Sequence, residues 1–166
     1  MTTPPSCLMS PRETEWLTRA ARGRVCLELG TWHGETTRAL ARVADVVWTV
    51  DHHRGDAHLG EHVTWHRHLA AVEREGLMGK IITVVGPFDR VLWMLSEGTF
   101  GLVLVDGAHD KHSVLHDTDR ARNLMTHDGL LCVHDWGRFE VARGAIPILG
   151  TPDTVIDSLA VWDGRP

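Results

Sequence analysis

Val25-Cys26-Leu27-Glu28-Leu29-Gly30-Thr31-Trp32-His33-Gly34-Glu35-Thr36-Thr37 reads as a short buried strand, a glycine-bearing turn and the opening of a helix. Val25, Leu27 and Leu29 are apolar, and Cys26 packs as a small hydrophobe. Gly30 and Gly34 bracket a turn where backbone bends sharply or approaches something closely. From Thr37 to Val43 the spacing is helical, with Leu40 and Val43 facing inward. Glu28 is the anomaly. A carboxylate near the end of a buried strand is costly without a partner. Either it reaches water at the strand end, or a ligand amine or hydroxyl meets it.

Three further apolar runs share this design. Val46-Val47-Trp48-Thr49-Val50 ends in Asp51, Leu102-Val103-Leu104-Val105 ends in Asp106, and Leu130-Leu131-Cys132-Val133 runs through His134 into Asp135. Continuous apolar strands separated by helical segments argue for a parallel sheet covered on both faces. In such sheets ligands bind outside the carboxyl ends of the strands. Four strands that each bring a carboxylate to one edge therefore point to a polar ligand site.

The remaining segments fit between these strands. Residues 1–9 are polar, carry prolines and are expected to be loose. Ser10-Pro11-Arg12-Glu13 is a helix start, with Ser as cap, Pro in the first turn and Glu three after the cap, and the helix runs to about Arg22. His52 to Gly60 is a long polar loop at the ligand edge. A helix fits about Glu61 to Glu75; at its start His58, His62 and His66 share the four-residue spacing of metal ligands on one helical face, read as solvated because no carboxylate or cysteine completes a metal set. Ile81 to Val85 is a strand ending at Gly86-Pro87-Phe88, followed by a short helix over about Asp89 to Ser96. A helix from His112 to about Met125 and a tight turn at Asp128-Gly129 precede the strand that ends at Asp135. A helix over about Phe139 to Leu149 and one last strand over about Val155 to Trp162 close the chain.

Bulk properties narrow the function. A chain of 166 residues is expected to form one domain with a real core, and its length leaves no room for a separate lid. A net charge of −5 disfavours general binding to nucleic acid or anionic membranes. No apolar run reaches a membrane span, and the N-terminus lacks a signal pattern. Cys7, Cys26 and Cys132 form no disulfide framework, so a reducing cytoplasm is the expected setting. Protonating all twelve histidines would carry the net charge from −5 to +7, which makes solubility and any anionic partner sensitive to acid.

The glycine turn does not suit a dinucleotide. A pyrophosphate loop takes Gly-x-Gly-x-x-Gly, and here Trp32 and Glu35 occupy the second and third glycine positions counted from Gly30. Trp32 would block the phosphate and Glu35 would repel it. Glu-x-Gly-x-x-x-Gly suits a ligand with an amino-acid end and a nucleoside end, and Asp51, about twenty residues on, can accept from ribose hydroxyls.

Glu28-Leu29-Gly30-Thr31-Trp32-His33-Gly34 followed by Val50-Asp51 resembles the class I S-adenosylmethionine-dependent methyltransferases. With Val105-Asp106-Gly107-Ala108-His109 and Asp128-Gly129-Leu130 through His134-Asp135-Trp136, roughly residues 24–136 are similar to the macrocin O-methyltransferase and cephalosporin-hydroxylase-like group. The resemblance implies a Rossmann-like, doubly wound α/β domain of strand order 3-2-1-4-5 plus a final antiparallel strand. It implies that Glu28, Gly30, Thr31, Gly34, Asp51, His52, Gly86 and Phe88 lie near S-adenosylmethionine. It implies His109 as the base and Asp106 and Asp135 as ligands of a divalent metal, Mg²⁺ or Mn²⁺. His134 stands where metal-dependent relatives carry an acidic ligand, which leaves metal use open. Asp106 could instead cap the next helix, His109 could be a turn residue and Asp135 a loop residue. Trp32 and Trp136 either wall the acceptor pocket or belong to the core.

The expected activity is O-methylation of a hydroxylated small molecule. Methyl transfer from a sulfonium needs an aligned acceptor oxygen and a group that takes its proton. The competing readings are a cofactor-binding protein of the same fold without catalysis, since the short chain leaves little to enclose an acceptor unless partner subunits (a homo-oligomer among them) close the site, and a metal-dependent hydrolase using Asp106, His109, His134 and Asp135. A nicotinamide oxidoreductase is the weakest, because of Trp32.

Overall fold

The computed structural model describes residues 9–56, 60–61 and 63–164. Met1 to Leu8, with Cys7, lie outside the described residues, as do His58 and His62 of the histidine spacing. In chain order the elements are α1 (Pro11–Ala20), β1 (Val25–Leu29), α2 (Glu35–Ala41), β2 (Val46–Asp51), β3 (Gly55–Asp56), β4 (Gly60–Glu61), α3 (Trp65–Arg74) and β5 (Ile81–Val85). Then come α4 (Phe88–Val91) with a 3₁₀ turn over Leu92–Met94, β6 (Phe100–Val105), α5 (Lys111–Leu124), β7 (Met125–Val133), α6 (Phe139–Leu149), β8 (Thr154–Ile156) and β9 (Leu159–Asp163).

One sheet has the order β5-β2-β1-β6-β7-β9-β8. Its first five strands are parallel, and β9 and β8 run antiparallel. The expected core order and the antiparallel end are therefore present. The expected single last strand is instead a hairpin, β8 and β9. Asp157, at φ 52°, turns the chain between them, and Arg12 pairs with its carboxylate at 2.8 Å.

Strand alternation sorts the core. Leu27, Leu29, Val103, Val105, Leu131 and Val133 pack under α4, α5 and α6, with Val91, Val114, Ala121 and Val141. Cys26, Leu102, Leu104 and Cys132 pack on the opposite face, with Leu17, Leu40 and Val72 of α1, α2 and α3. The same alternation places Glu28, Asp106 and His134 on the α1–α3 face at the carboxyl ends.

Local chemistry adjusts several boundaries. The long loop after β2 contains the β3–β4 hairpin, so α3 starts at Trp65 rather than near Glu61; His66, its second residue, is exposed as expected. The turn expected at Asp128-Gly129 is absorbed into β7. Phe100 pairs with Met125 but Leu102 pairs with Leu130, so the intervening residues bulge from the ladder. At Gly129 an added Cβ would meet Met125 Cγ at 2.5 Å. The α1 start is as read: Ser10 and Glu13 form a capping box.

Candidate active site

A cavity of about 600 Å³ opens over the carboxyl ends of β1, β2, β5 and β6. Glu28, Gly30, Thr31, Asp51, His52, Phe88, Asp106 and His109 all line it. Gly34 and Gly86 support it from outside the wall. Gly34, at φ 74°, precedes α2 and sits so close to His68 that a Cβ would lie 2.1 Å from Nδ1. Gly86 donates its N–H to the Asp51 carbonyl at 3.0 Å. Trp32 lines the cavity. Trp136 is a core residue, edge-on to Trp162 at 5.4 Å.

Glu28 does not reach water. It is 1% exposed. The hydroxyls of Thr37 and Thr49 both donate to its Oε2, that of Thr49 at 2.7 Å. Burial pushes its carboxyl up to about 8 against those hydrogen bonds, with the charges of Asp106 and Asp51 adding to the rise.

Asp51 holds the glycine turn in shape. Its Oδ2 accepts from the backbone N–H groups of Thr31 at 2.9 Å and Trp32 at 2.8 Å, and Oδ1 accepts from that of His53 at 2.7 Å. A carboxylate has about four acceptor positions, so roughly one remains for a ligand hydroxyl. Trp32 and His53 both have positive φ, 48° and 56°. Side chains avoid this region, and the Asp51 carboxylate is what holds both residues there.

At the other end, Asp106, His109, His134 and Asp135 meet. His109 Nε2 lies 2.7 Å from Asp135 Oδ2. Burial alone would raise the Asp135 carboxyl, but the His109 hydrogen bond and the positive charges of His134 and Arg138 hold it down at about 2. His134 is 5% exposed. Its Nδ1 is 3.1 Å from Asp106 Oδ1, and its Nε2 is 3.2 Å from Ser158 Oγ and 3.5 Å from Glu13 Oε2. Burial would lower the imidazole, but the Asp106 hydrogen bond and the Asp106, Asp135 and Glu13 charges lift it to about 9. Burial drives the Asp106 carboxyl up, opposed by His134. Asp106 caps no helix, since Asp110 is the α5 cap.

Glu13 was not readable as a site residue. The sequence marks it only as a capping-box acid. In the fold its Oε1 also accepts from Ser158 N–H and Oγ, at 2.7 and 2.8 Å. That contact spans 145 residues and fastens α1 and the β8–β9 hairpin to His134.

The Asp106, His134 and Asp135 ligand atoms all lie within 4.8 Å of one another. Two carboxylates and one imidazole fit a divalent ion once His134 has released its proton.

The profile of the methyltransferase domain family matches residues 27–136, which carry β1 through β7 and the strand-end groups just described. The chain belongs to that family. The methyltransferase is similar to cofactor-bound Rv0187 from MTB, at 23% identity and a TM-score of 0.78, over 97% of this chain and 83% of that one. It is similar to TomG of Streptomyces achromogenes, an O-methyltransferase of tomaymycin synthesis in complex with SAM, at 22% identity and TM-score 0.66, over 90% of this chain and 65% of that one. It is also similar to the Bacillus cereus O-methyltransferase in complex with SAH, at 20% identity and TM-score 0.65, over 81% and 61%. It thus spans less than two thirds of these last two chains. Likeness at these identities carries the fold, and the family match carries the enzyme class expected from the sequence. No curated protein matches the chain by sequence.

Proposed function

We propose that the methyltransferase moves the methyl group of S-adenosylmethionine to a hydroxyl oxygen of a small molecule. The observation that supports this most is the His109–Asp135 pair beside Asp106 at the cavity edge. The acceptor oxygen attacks the methyl carbon, the carbon–sulfur bond breaks, and S-adenosylhomocysteine leaves neutral at sulfur. The acceptor's proton passes to the imidazole, whose resulting charge Asp135 balances. Glu28 and Asp51 hold the cofactor side, with the free Asp51 acceptor position taking a ribose hydroxyl. Incubation with methyl-labelled S-adenosylmethionine and a panel of hydroxylated small molecules tests the reading. Label in an ether product supports it; label only in amine products overturns the oxygen assignment.

A divalent metal is part of this proposal. Asp106, His134 and Asp135 would hold it, and it would supply Lewis acidity toward the acceptor oxygen. The imidazole nitrogen favours Mn²⁺ or a later metal over Mg²⁺. The His134 proton competes with it. From a value of about 9, Mn²⁺ affinity is expected to rise about tenfold per unit between pH 7 and pH 9 and to level off above that. Electron paramagnetic titration of free Mn²⁺ measures this, and no binding at millimolar Mn²⁺ at pH 9 would remove the metal.

No helix among the described residues is long and apolar enough to cross a membrane. Cys26 and Cys132 are buried free thiols, in keeping with a reducing cytoplasm as the setting we propose.

A further inference from the structure

His112 and His116 both line the cavity, and neither has a part in the mechanism above. They stand four residues apart in α5, so they share one helical face. Their ring centres are 5.7 Å apart. Two imidazoles on one tetrahedral ion, with metal–nitrogen bonds of about 2.1 Å, have ring centres roughly 5 Å apart. A small turn of two exposed side chains closes the difference. Neither ring has a hydrogen-bond or ion-pair partner among the described residues, so no protein contact has to break to offer a nitrogen. The backbone that carries them is fixed. The Asp110 carboxylate accepts from the N–H groups of His112 at 3.1 Å and Ser113 at 3.0 Å, and Val114 anchors the same turn in the core. On an open surface such a pair would be a solvated face. Here it looks into a concave wall that also carries Glu35, Asp89 and Asp117, and no Lys or Arg lines the cavity among the described residues. A field of that sign concentrates cations.

We propose that His112 and His116 chelate a divalent transition-metal ion of the Zn²⁺ kind on the wall of the cavity. Histidines at i and i+4 of a helix present two nitrogens to one ion, and imidazole suits Zn²⁺, Cu²⁺ and Ni²⁺ where Mg²⁺ and Ca²⁺ take oxygen. Two protein ligands leave positions that water or a donor atom of a molecule in the cavity fills, as in an open rather than a closed zinc site. The site is separate from Asp106, His134 and Asp135. Those three ligand atoms cluster within 4.8 Å of one another, and neither His112 nor His116 joins them. It is also independent of the methyltransferase reading, because it needs only α5 and the cavity.

The test is titration of the full chain with Zn²⁺ alone, in competition with a chromophoric chelator at neutral pH, together with Cu²⁺ electron paramagnetic resonance on the same proteins. The wild type is expected to bind Zn²⁺ at micromolar level, and its bound Cu²⁺ to couple to two imidazole nitrogens. His112→Ala and His116→Ala should each weaken Zn²⁺ binding at least about tenfold, because the two-point attachment is lost, and each should leave Cu²⁺ coupled to one nitrogen. His66→Ala and Asp135→Asn should leave the Zn²⁺ affinity unchanged. Equal Zn²⁺ affinity in the wild type and both α5 variants overturns the proposal. So does loss of binding in His66→Ala or in Asp135→Asn alone, since the ion then sits on α3 or at the Asp106 group. If neither α5 variant folds, the wild type decides: Cu²⁺ coupled to fewer than two nitrogens overturns the site. A protein that gives the expected Zn²⁺ results but binds no S-adenosylhomocysteine would overturn the methyltransferase reading and support this one.

Discussion

Replacing His109 with Ala is expected to slow methyl transfer about 10²–10⁴-fold, the usual worth of a positioned base. S-adenosylhomocysteine affinity should change far less, because the imidazole is paired with Asp135 at the edge of the cavity rather than with the Asp51 turn. The fall in rate toward acid should disappear in the variant, since protonated imidazole can no longer be what limits it. Asp135→Asn should show a smaller loss, as it removes the charge that balances the imidazolium but leaves the ring in place. Single-turnover rates measured against pH, with any acceptor found by screening, check both. A His109→Ala enzyme that turns over at the wild-type rate with the same acid dependence would reduce His109 to a turn residue.

Gly30→Ala is expected to be the most damaging single change to the site's frame. Gly30 has φ 101°, and a Cβ there would lie 2.0 Å from the Asp106 carbonyl oxygen and 2.7 Å from its carbon. Both atoms are backbone, so no side chain can swing away. The end of β6 must move, and Asp106 moves with it. Strain plus overpacking of this kind costs roughly 3–5 kcal/mol, which in a chain of this size lowers Tm by about 6–20 °C. Gly34→Ala is the informative contrast. It also has positive φ, but its Cβ would meet the buried His68 ring rather than backbone, so the strain falls on the His68–Thr83 contact of α3 and β5 and not on the end of β6. Thermal unfolding of the two variants separates them; a Gly30→Ala protein within about 2 °C of wild type would mean that β1 and β6 are not held this close.

What the sequence could and could not reveal follows from the range of each interaction. The parallel sheet was legible because β1, β2, β6 and β7 are apolar on both faces, and each strand declares itself over five or six residues. The carboxyl-edge residues Asp51, Asp106 and Asp135 were legible for the same reason, as breaks in apolar runs. Glu28 was recognised as anomalous, but its partners Thr37 and Thr49 belong to α2 and β2, and register alone brings them to it. The Glu13–His134 contact depends on how α1 docks, which no local pattern encodes. The β8–β9 hairpin read as one strand because Ile156 to Leu159 carries no glycine or proline. Asp157 takes the left-handed conformation instead, which a short polar side chain tolerates.

The central claim is that a nucleoside cofactor sits on the Asp51-braced turn. The direct test is calorimetric titration of S-adenosylhomocysteine into the wild type and Asp51→Ala. The wild type should bind at micromolar level, about −7 to −8 kcal/mol. Asp51→Ala should lose at least about 1.5–3 kcal/mol, the worth of a hydrogen bond to a charged group, with a further loss from the Thr31, Trp32 and His53 amides left without their acceptor. A folded wild-type protein that shows no heat with millimolar S-adenosylhomocysteine, or an Asp51→Ala variant that binds it as tightly as wild type, would contradict the account.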